Sequence, residues 1–284
     1  MKIDENTQVM ARFHHSFNNR GMNIYNPYFK ATNTNAIYVL FQNKNPEPLI
    51  EGMKKLNMAG AIPAGFETNP KLPSLMDDLD IVAKKANRVA VIRQRNGKAI
   101  GFYQGGYGLL ESIRRLTSIK NKEIVILGAG TVVRGLLAQL EADKEKPKAI
   151  KVYNRTLSKA KSLTKKFPMI TQVGSIKDME KTSGDIFANA TFLGTPWNQG
   201  EDYLFSQNFI DRFKYIADVA FIPLEPPLIK LAKKLKKKYS PGWKMFLYQG
   251  KMCLEKVLDL KVNEKILGEK IYKDFKENWM KIED

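Results

Sequence analysis

A chain of 284 residues, 43% hydrophobic and 27% charged, can bury a large core, and its length points to two domains rather than one. Its 47 lysines and arginines against 29 acidic residues leave a formal charge of +18, which attracts polyanions of any kind, but no zinc-finger spacing or ribonucleoprotein motif accompanies the lysines. A specific nucleic-acid partner is therefore not expected, and with no apolar run near the roughly twenty residues of a membrane span, neither is a membrane one.

In chain order, AIYVLFQ (36–42) reads as a strand, and PLIEGMKKLNM (48–58) and PSLMDDLDIVAKKA (73–86) as helices. RVAVIRQ (88–94) and AIGFY (99–103) form a hairpin around Asn96-Gly97, a pair that readily takes the positive φ values of a two-residue turn. GGYGLLESIRRL (105–116) is a helix leading into a second domain. There KEIVILGAG (122–130), KAIKVYNRT (148–156), SGDIFANAT (183–191) and FKYIADVAF (213–221) read as strands, with RGLLAQLEADKE (134–145) and SKAKSLTKKF (158–167) as helices between them. Strands alternating with helices imply a parallel, doubly wound sheet. The lysine run IKLAKKLKKKY (229–239) places Leu228, Leu231, Ala232 and Leu235 on one helical face with the lysines outside, the pattern of a solvated amphipathic helix. From Met245 onward the chain reads as helices packing back on the first domain. The expected fold is α/β: a substrate domain over residues 1–112, completed by 243–284, and a Rossmann domain over 113–242. The single cysteine, Cys253, lies in a helical pattern as a small core residue and excludes an internal disulfide or cysteine-cluster metal site. No metal is expected. The first residues lack the basic-then-apolar pattern of a signal peptide, so a cytoplasmic location is expected.

Gly128-Ala129-Gly130, between a strand and the helix opened by Thr131 and Val132, has a mechanical purpose. Glycines permit a sharp turn and let backbone N–H groups approach a pyrophosphate at a helix N-terminus. The third small position of the fingerprint is Val133, so helix-to-strand packing should differ there. At the end of the next strand an NAD site places an acidic residue, whereas this chain has Asn154-Arg155-Thr156 with Lys159 one turn on. Cations and amide donors suit a 2′-phosphate, so NADP is the expected cofactor. The competing reading is a capped helix start with exposed basic residues.

These patterns together resemble the shikimate and quinate dehydrogenases. HHSFNN with YNPYF resembles the family's carboxylate-binding loop and following helix. GFETNP and GFYQGGYGLL resemble the segments that carry its catalytic lysine and aspartate. GAGTVV, YNRTLSKA, NATFLGT, DVAFIPLEPPL and GWKMFLYQG then follow in family order. The resemblance implies a substrate held between two domains and hydride transfer to NADP, with a lysine–aspartate pair handling the proton. It puts Leu72 at the lysine, Gly105 at the aspartate and Tyr103 at the preceding asparagine, and neither leucine nor glycine can transfer a proton. Tyr103 and Lys71 are the candidate replacements, each with a bland alternative as packing aromatic and surface lysine; His14 and His15, the only histidines, are further candidates. Ser16, Asn18, Thr68, Arg93 and Gln249 are expected to hold substrate; the resemblance puts Arg93 or, with a shifted gap, Ala90 at the family's asparagine, and Arg93 could instead lie on the surface of an edge hairpin. Cofactor contacts are implied from Thr191, Gly242 and Met245. The expected function is an NADP-dependent oxidoreductase acting on a small anionic hydroxy or keto substrate other than shikimate. A non-catalytic NADP-binding protein and a shikimate dehydrogenase with a rearranged dyad are the alternatives. The expected assembly is a monomer or homodimer.

Overall fold

The computed structural model describes residues 3–16, 21–198 and 205–279. Its elements in chain order begin with β1 (Gln8–His14), α1 (Met22–Ala31), β2 (Ala36–Gln42), α2 (Pro46–Lys55), β3 (Gly60–Ile62), β4 (Asp78–Leu79), α3 (Ile81–Ala86), β5 (Val91–Arg95) and β6 (Lys98–Phe102). They continue through α4 (Tyr107–Arg114), β7 (Glu123–Leu127), α5 (Thr131–Ala142), β8 (Ala149–Asn154), α6 (Leu157–Thr164), β9 (Gln172–Ser175), α7 (Ile176–Met179) and β10 (Ile186–Asn189). The last are α8 (Gln207–Asp211), β11 (Tyr215–Asp218), α9 (Pro227–Lys234), β12 (Lys238–Ser240), α10 (Gly242–Leu258) and α11 (Glu264–Asp274). They divide into two compact units: one takes the described residues up to Gln104 together with Gln249–Asp274, the other Gly105–Tyr248 and the described residues from Phe275.

The first unit is built on a six-stranded mixed sheet of order β2-β1-β3-β5-β6-β4. The β5–β6 hairpin turns at Asn96 and Gly97, with φ of 51° and 73°, as the Asn-Gly pair predicts. It does not lie at a sheet edge: β3 pairs with β5 on one side and β4 with β6 on the other, so the edge-hairpin reading of Arg93 does not hold. The helix expected over 73–86 is broken. The Asp77 carboxylate accepts the Ala99 N–H at 2.6 Å and its own N–H reaches the Ala99 carbonyl, which draws the chain alongside β6. Asp80 then accepts the Ala83 N–H at 2.7 Å and starts α3 afresh as an N-cap. On the helical side, α11 packs on α1, and the Tyr28 hydroxyl accepts the Asn263 N–H at 3.0 Å.

The second unit has a six-stranded, wholly parallel sheet of order β12-β11-β10-β7-β8-β9. This is the doubly wound Rossmann arrangement, and β7 and β10 are the adjacent strands where the winding reverses. Ile124, Val125, Ile126 and Leu127 are all buried, as expected of a strand covered on both faces. The lysine-run helix ends sooner than its periodicity suggests. Lys236 adopts φ of 54°, which closes α9, and Lys238–Ser240 join the sheet beside β11. Leu228 and Ala232 are buried with Leu231 and Leu235 packed against the same cluster, while Lys233 pairs with Glu225 and Lys237 with Asp211 at 2.7 Å. Phe275 and Trp279 pack their rings against Phe221 in this unit, tilted and edge-on respectively, so only part of the C-terminal region belongs to the first.

Candidate functional site

In the second unit the candidate site forms at the carboxyl ends of β7, β8 and β10. Gly128 sits at φ of 124°, and a Cβ there would lie 2.8 Å from the Ala190 carbonyl, so only glycine makes this turn. At Gly130 a Cβ would meet nothing within 4 Å, which leaves open space before the first turn of α5. Gly130 is the N-cap and no side chain caps the helix, so the amino end of α5, with the positive end of its dipole, opens on that space at Thr131 and Val132. The small residue missing at Val133 is supplied two positions later. Val133 is fully buried, and Gly135 lets the Gly105 carbonyl approach to 1.8 Å of where a Cβ would be.

At the end of β8, Asn154 Nδ2 donates to the Thr156 carbonyl at 2.9 Å and orders the turn in which Arg155 is exposed. Thr156 is the N-cap of α6 without a side-chain cap bond, and Lys159 is exposed on its first turn. Thr191, after β10, donates from Oγ1 to Asn189 Oδ1 at 2.6 Å. Asn189 Nδ2 in turn donates to Asp218 Oδ1 at 2.9 Å, and the Ala220 N–H donates to the same oxygen. Asp218 Oδ2 is buried without a partner, and burial pushes its carboxyl pKa up to about 7 against the hydrogen bonds that favour the anion. Gly242 and Met245, in the first turns of α10, are buried.

The first unit holds the residues expected to bind substrate. His14 ends β1. Its Nδ1 accepts the Ser16 N–H at 2.9 Å and lies 3.0 Å from Ser16 Oγ, and its ring stacks on His15. Burial lowers its pKa, and the positive charge of Arg12 acts in the same direction, so the imidazole is neutral near pH 7. Asn18 lies outside the described residues. Thr68 and Lys71 are exposed on the loop after β3, with Lys71 opening a single 3-10 turn over Leu72–Leu75. Leu72 is 0% exposed and packs with Ala11, Phe13, Phe66 and Ile92, so it is part of the hydrophobic core. Tyr103 is 1% exposed, and Gln249 is half-buried on α10. Ala90 is buried. Arg93 is engaged: its Nη2 lies 2.9 Å from Asp259 Oδ2, which Arg95 shares at 3.0 Å.

Sequence reasoning missed a polar group inside this unit. Arg12 on β1, Tyr25 on α1, Tyr38 on β2, Gln104 after β6 and Cys253 on α10 lie in one electrostatically connected cluster. The Cys253 thiol donates to Gln104 Oε1 at 2.9 Å, and the Tyr25 and Tyr38 rings lie 4.8 Å apart. The one available signal was an arginine inside the apolar run VMARF. Among the described residues no three His, Cys, Asp or Glu side chains are grouped to hold a metal, and no helix is long and apolar enough to cross a membrane.

A family model described as shikimate / quinate 5-dehydrogenase matches residues 111–199. Shikimate dehydrogenase (NADP(+)) of Geobacillus sp. (strain WCH70) is 32% identical over 242 residues, 82% of this chain and 86% of that protein. A solved shikimate dehydrogenase in complex with NADP+ is 25% identical, with a TM-score of 0.80 over 96% of this chain and 97% of that one. The ligand-free 5-ketofructose reductase of Gluconobacter sp. strain CHM43 has the same fold, with a TM-score of 0.81 at 21% identity, covering 96% of this chain and all of that one (100%).

Proposed function

Since the chain belongs to the shikimate/quinate dehydrogenase family, we propose that it is an NADP-dependent oxidoreductase whose substrate is a small anionic hydroxy or keto compound other than shikimate. The observation that carries the cofactor half is the pairing of the Gly128–Gly130 turn and uncapped α5 with Asn154-Arg155-Thr156 at the end of β8. The N–H groups at the start of α5 suit a pyrophosphate, and Arg155, Thr156 and Lys159 suit a 2′-phosphate, so the residues present fit the dinucleotide. The relative and the solved structure that are named for NADP support the same assignment. When bound, the nicotinamide supplies the hydride donor or acceptor. Thr191, Gly242 and Met245 are the residues this reading places along the cofactor.

The substrate half rests on what the proton-handling positions hold. Leu72 belongs to the core and Gly105 carries no side chain, so the lysine–aspartate chemistry implied by the resemblance has no groups to run on. Tyr103 is the acid this reading puts forward, with Lys71 second because its stem is exposed on the loop after β3. Ser16, Asn18, Thr68 and Gln249 are proposed as polar contacts to substrate, whereas Arg93 is committed to Asp259. The fold itself does not restrict the substrate, since 5-ketofructose reductase shares it.

The same observation about positions 72 and 105 favours a second reading, a non-catalytic NADP(H)-binding protein. The experiment is a calorimetric titration with NADP+ and NAD+, followed by NADPH oxidation against a panel of small keto acids and keto sugars, with shikimate and quinate assayed in the oxidative direction. The proposal expects NADP+ binding much tighter than NAD+, and turnover of at least one panel member but not of shikimate. Rapid turnover of shikimate overturns the substrate exclusion, and NADP+ binding with a silent panel favours the second reading.

A further inference from the structure

We infer that Arg12 is the anion anchor of the substrate site, binding a substrate carboxylate jointly with the Tyr38 hydroxyl; this rests on the oxidoreductase reading above. β1 lies between β2 and β3, with Arg12 in register with Leu40 and with Ile62, the last residue of β3, so the arginine stands on a paired strand near its carboxyl end, two residues before His14. Alternation along the strand puts it on the face of Met10 and His14, opposite Ala11 and Phe13, which pack in the apolar cluster with Ile50 and Met53 of α2. A guanidinium brought into such a setting is costly unless an anion and hydrogen bonds compensate it.

This chain supplies neither in full. Arg12 is half-buried, with its Nε buried and lacking an acceptor, and the buried Tyr38 hydroxyl lies beside the guanidinium, whose charge and hydrogen bond act to lower its pKa, with no other partner. Among the described residues no carboxylate pairs with Arg12. The groups that feel its charge are Tyr25, Tyr38 and His14, and none of them is an anion near pH 7. Burial raises both phenols well above their usual range, pushes the neighbouring Cys253 thiol up to about 12, and holds His14 neutral. A permanent cation surrounded by neutral donors is a site lacking one negative charge. A carboxylate matches it in charge and shape, taking two parallel N–H donors from the guanidinium and the Tyr38 O–H. A phosphate dianion would leave its second charge unmatched in the same surroundings.

The test uses the full-length chain saturated with NADP+, titrated by calorimetry with shikimate, quinate, the methyl ester of each, and inorganic phosphate. Binding of an acid without turnover is sufficient here. At least one acid is expected to bind the wild type, and its ester about tenfold more weakly or worse. Arg12→Met should weaken that acid by about tenfold or more, the loss of a charge-assisted pair, and Tyr38→Phe by a few-fold. Both variants should keep the wild-type NADP+ affinity and the wild-type urea midpoint, and a midpoint that falls together with acid affinity would mark Arg12 as structural and overturn the inference. Arg12→Lys, which keeps charge but not the fork, should fall between wild type and Arg12→Met. Equal binding of acid and ester, an unchanged acid affinity in Arg12→Met, tighter binding of phosphate than of either acid, or an NADP+-loaded wild type that binds neither acid would each overturn the inference while leaving the cofactor reading in place. A wild type that does not bind NADP+ would take down both.

Discussion

Replacing Asp218 by asparagine separates one buried carboxyl from every other titrating group in the protein. Oδ1 accepts from both Asn189 Nδ2 and the Ala220 N–H, bonds an asparagine carbonyl can keep. Oδ2 is buried without a side-chain partner, and the folded-state pKa is pushed up to about 7 because burial outweighs the bonds from Ala220, Asn189 and Val219 that favour the anion. The unfolded side chain titrates near 3.9. Between these values the native protein holds a proton that the unfolded chain has released, so the contribution of Asp218 to stability is fully present below about pH 4, is lost as pH rises toward 7, and is constant above. A difference of about three pKa units at 1.36 kcal/mol each sets the swing at ~4 kcal/mol, an upper figure for a fully buried group. The neutral amide has no such swing. Asp218→Asn should therefore match the wild type within about 1 kcal/mol at pH 4 and exceed it by a few kcal/mol at pH 7.5. The carboxylates of Asp77, Asp78, Glu123 and Asp178 are held below their usual range by lysine or hydrogen-bond partners and give the opposite slope in both proteins, so they cancel in the comparison. The assay is urea unfolding followed by tryptophan fluorescence at pH 4, 5.5 and 7.5. All three tryptophans, Trp197, Trp243 and Trp279, belong to the unit that contains Asp218, so the signal reports that unit. A stability difference between variant and wild type that does not change with pH would refute the reasoning, since it would mean that Asp218 is ionised throughout.

Four further outcomes are expected. Arg155→Ala should weaken NADP+ by about ten- to a hundredfold, the loss of hydrogen bonds to a charged group, while NAD+ changes little; calorimetry showing equal losses for both would remove Arg155 from the 2′-phosphate site. Gly106→Ala places a Cβ 1.9 Å from the Leu136 backbone nitrogen at φ of +78°, so a loss of ~3 kcal/mol or more in unfolding free energy, read by urea titration, is expected. Gly97→Ala, at φ of +73° with nothing within 4 Å, should cost only about 1 kcal/mol, the left-handed conformation alone. Leu72→Lys should destabilise the protein by several kcal/mol without creating shikimate turnover, because the side chain enters the core where a charge has no partner. Stable folding with new activity would show that position 72 faces the substrate.

Much of the second unit was legible because its signals are local. A short apolar strand, a glycine turn and an amphipathic helix lie within a few dozen residues, and the strand ends carrying Asn154-Arg155-Thr156 and Thr191 follow from the same alternation. The Asn96-Gly97 hairpin was legible for a similar reason, since two residues determine the turn. What was missed depends on partners distant in sequence. β4 has two residues and exists because Asp77 meets Ala99; the helical spacing around it, taken alone, argued for one continuous helix. β12 was hidden inside a lysine run whose period is helical until Lys236 turns left-handed.

Arg12 shows where pattern reading stops for physical reasons. In a strand with one wet face, period-two alternation assigns an arginine to solvent, and nothing in VMARF distinguishes that case from a buried one. The distinction is made by Tyr25 on α1 and Tyr38 on β2, which feel the charge of Arg12, and by Cys253 on α10, about 240 residues further along the chain, which is linked to the same tyrosines. A guanidinium whose Nε is buried without an acceptor carries a cost that a structural role leaves uncompensated and a bound anion removes. By contrast, the two positions expected to move the proton hold a core leucine and a glycine. On the inference above, recognition by Arg12 and Tyr38 is separable from proton transfer, and acid binding without turnover is the outcome that would separate them.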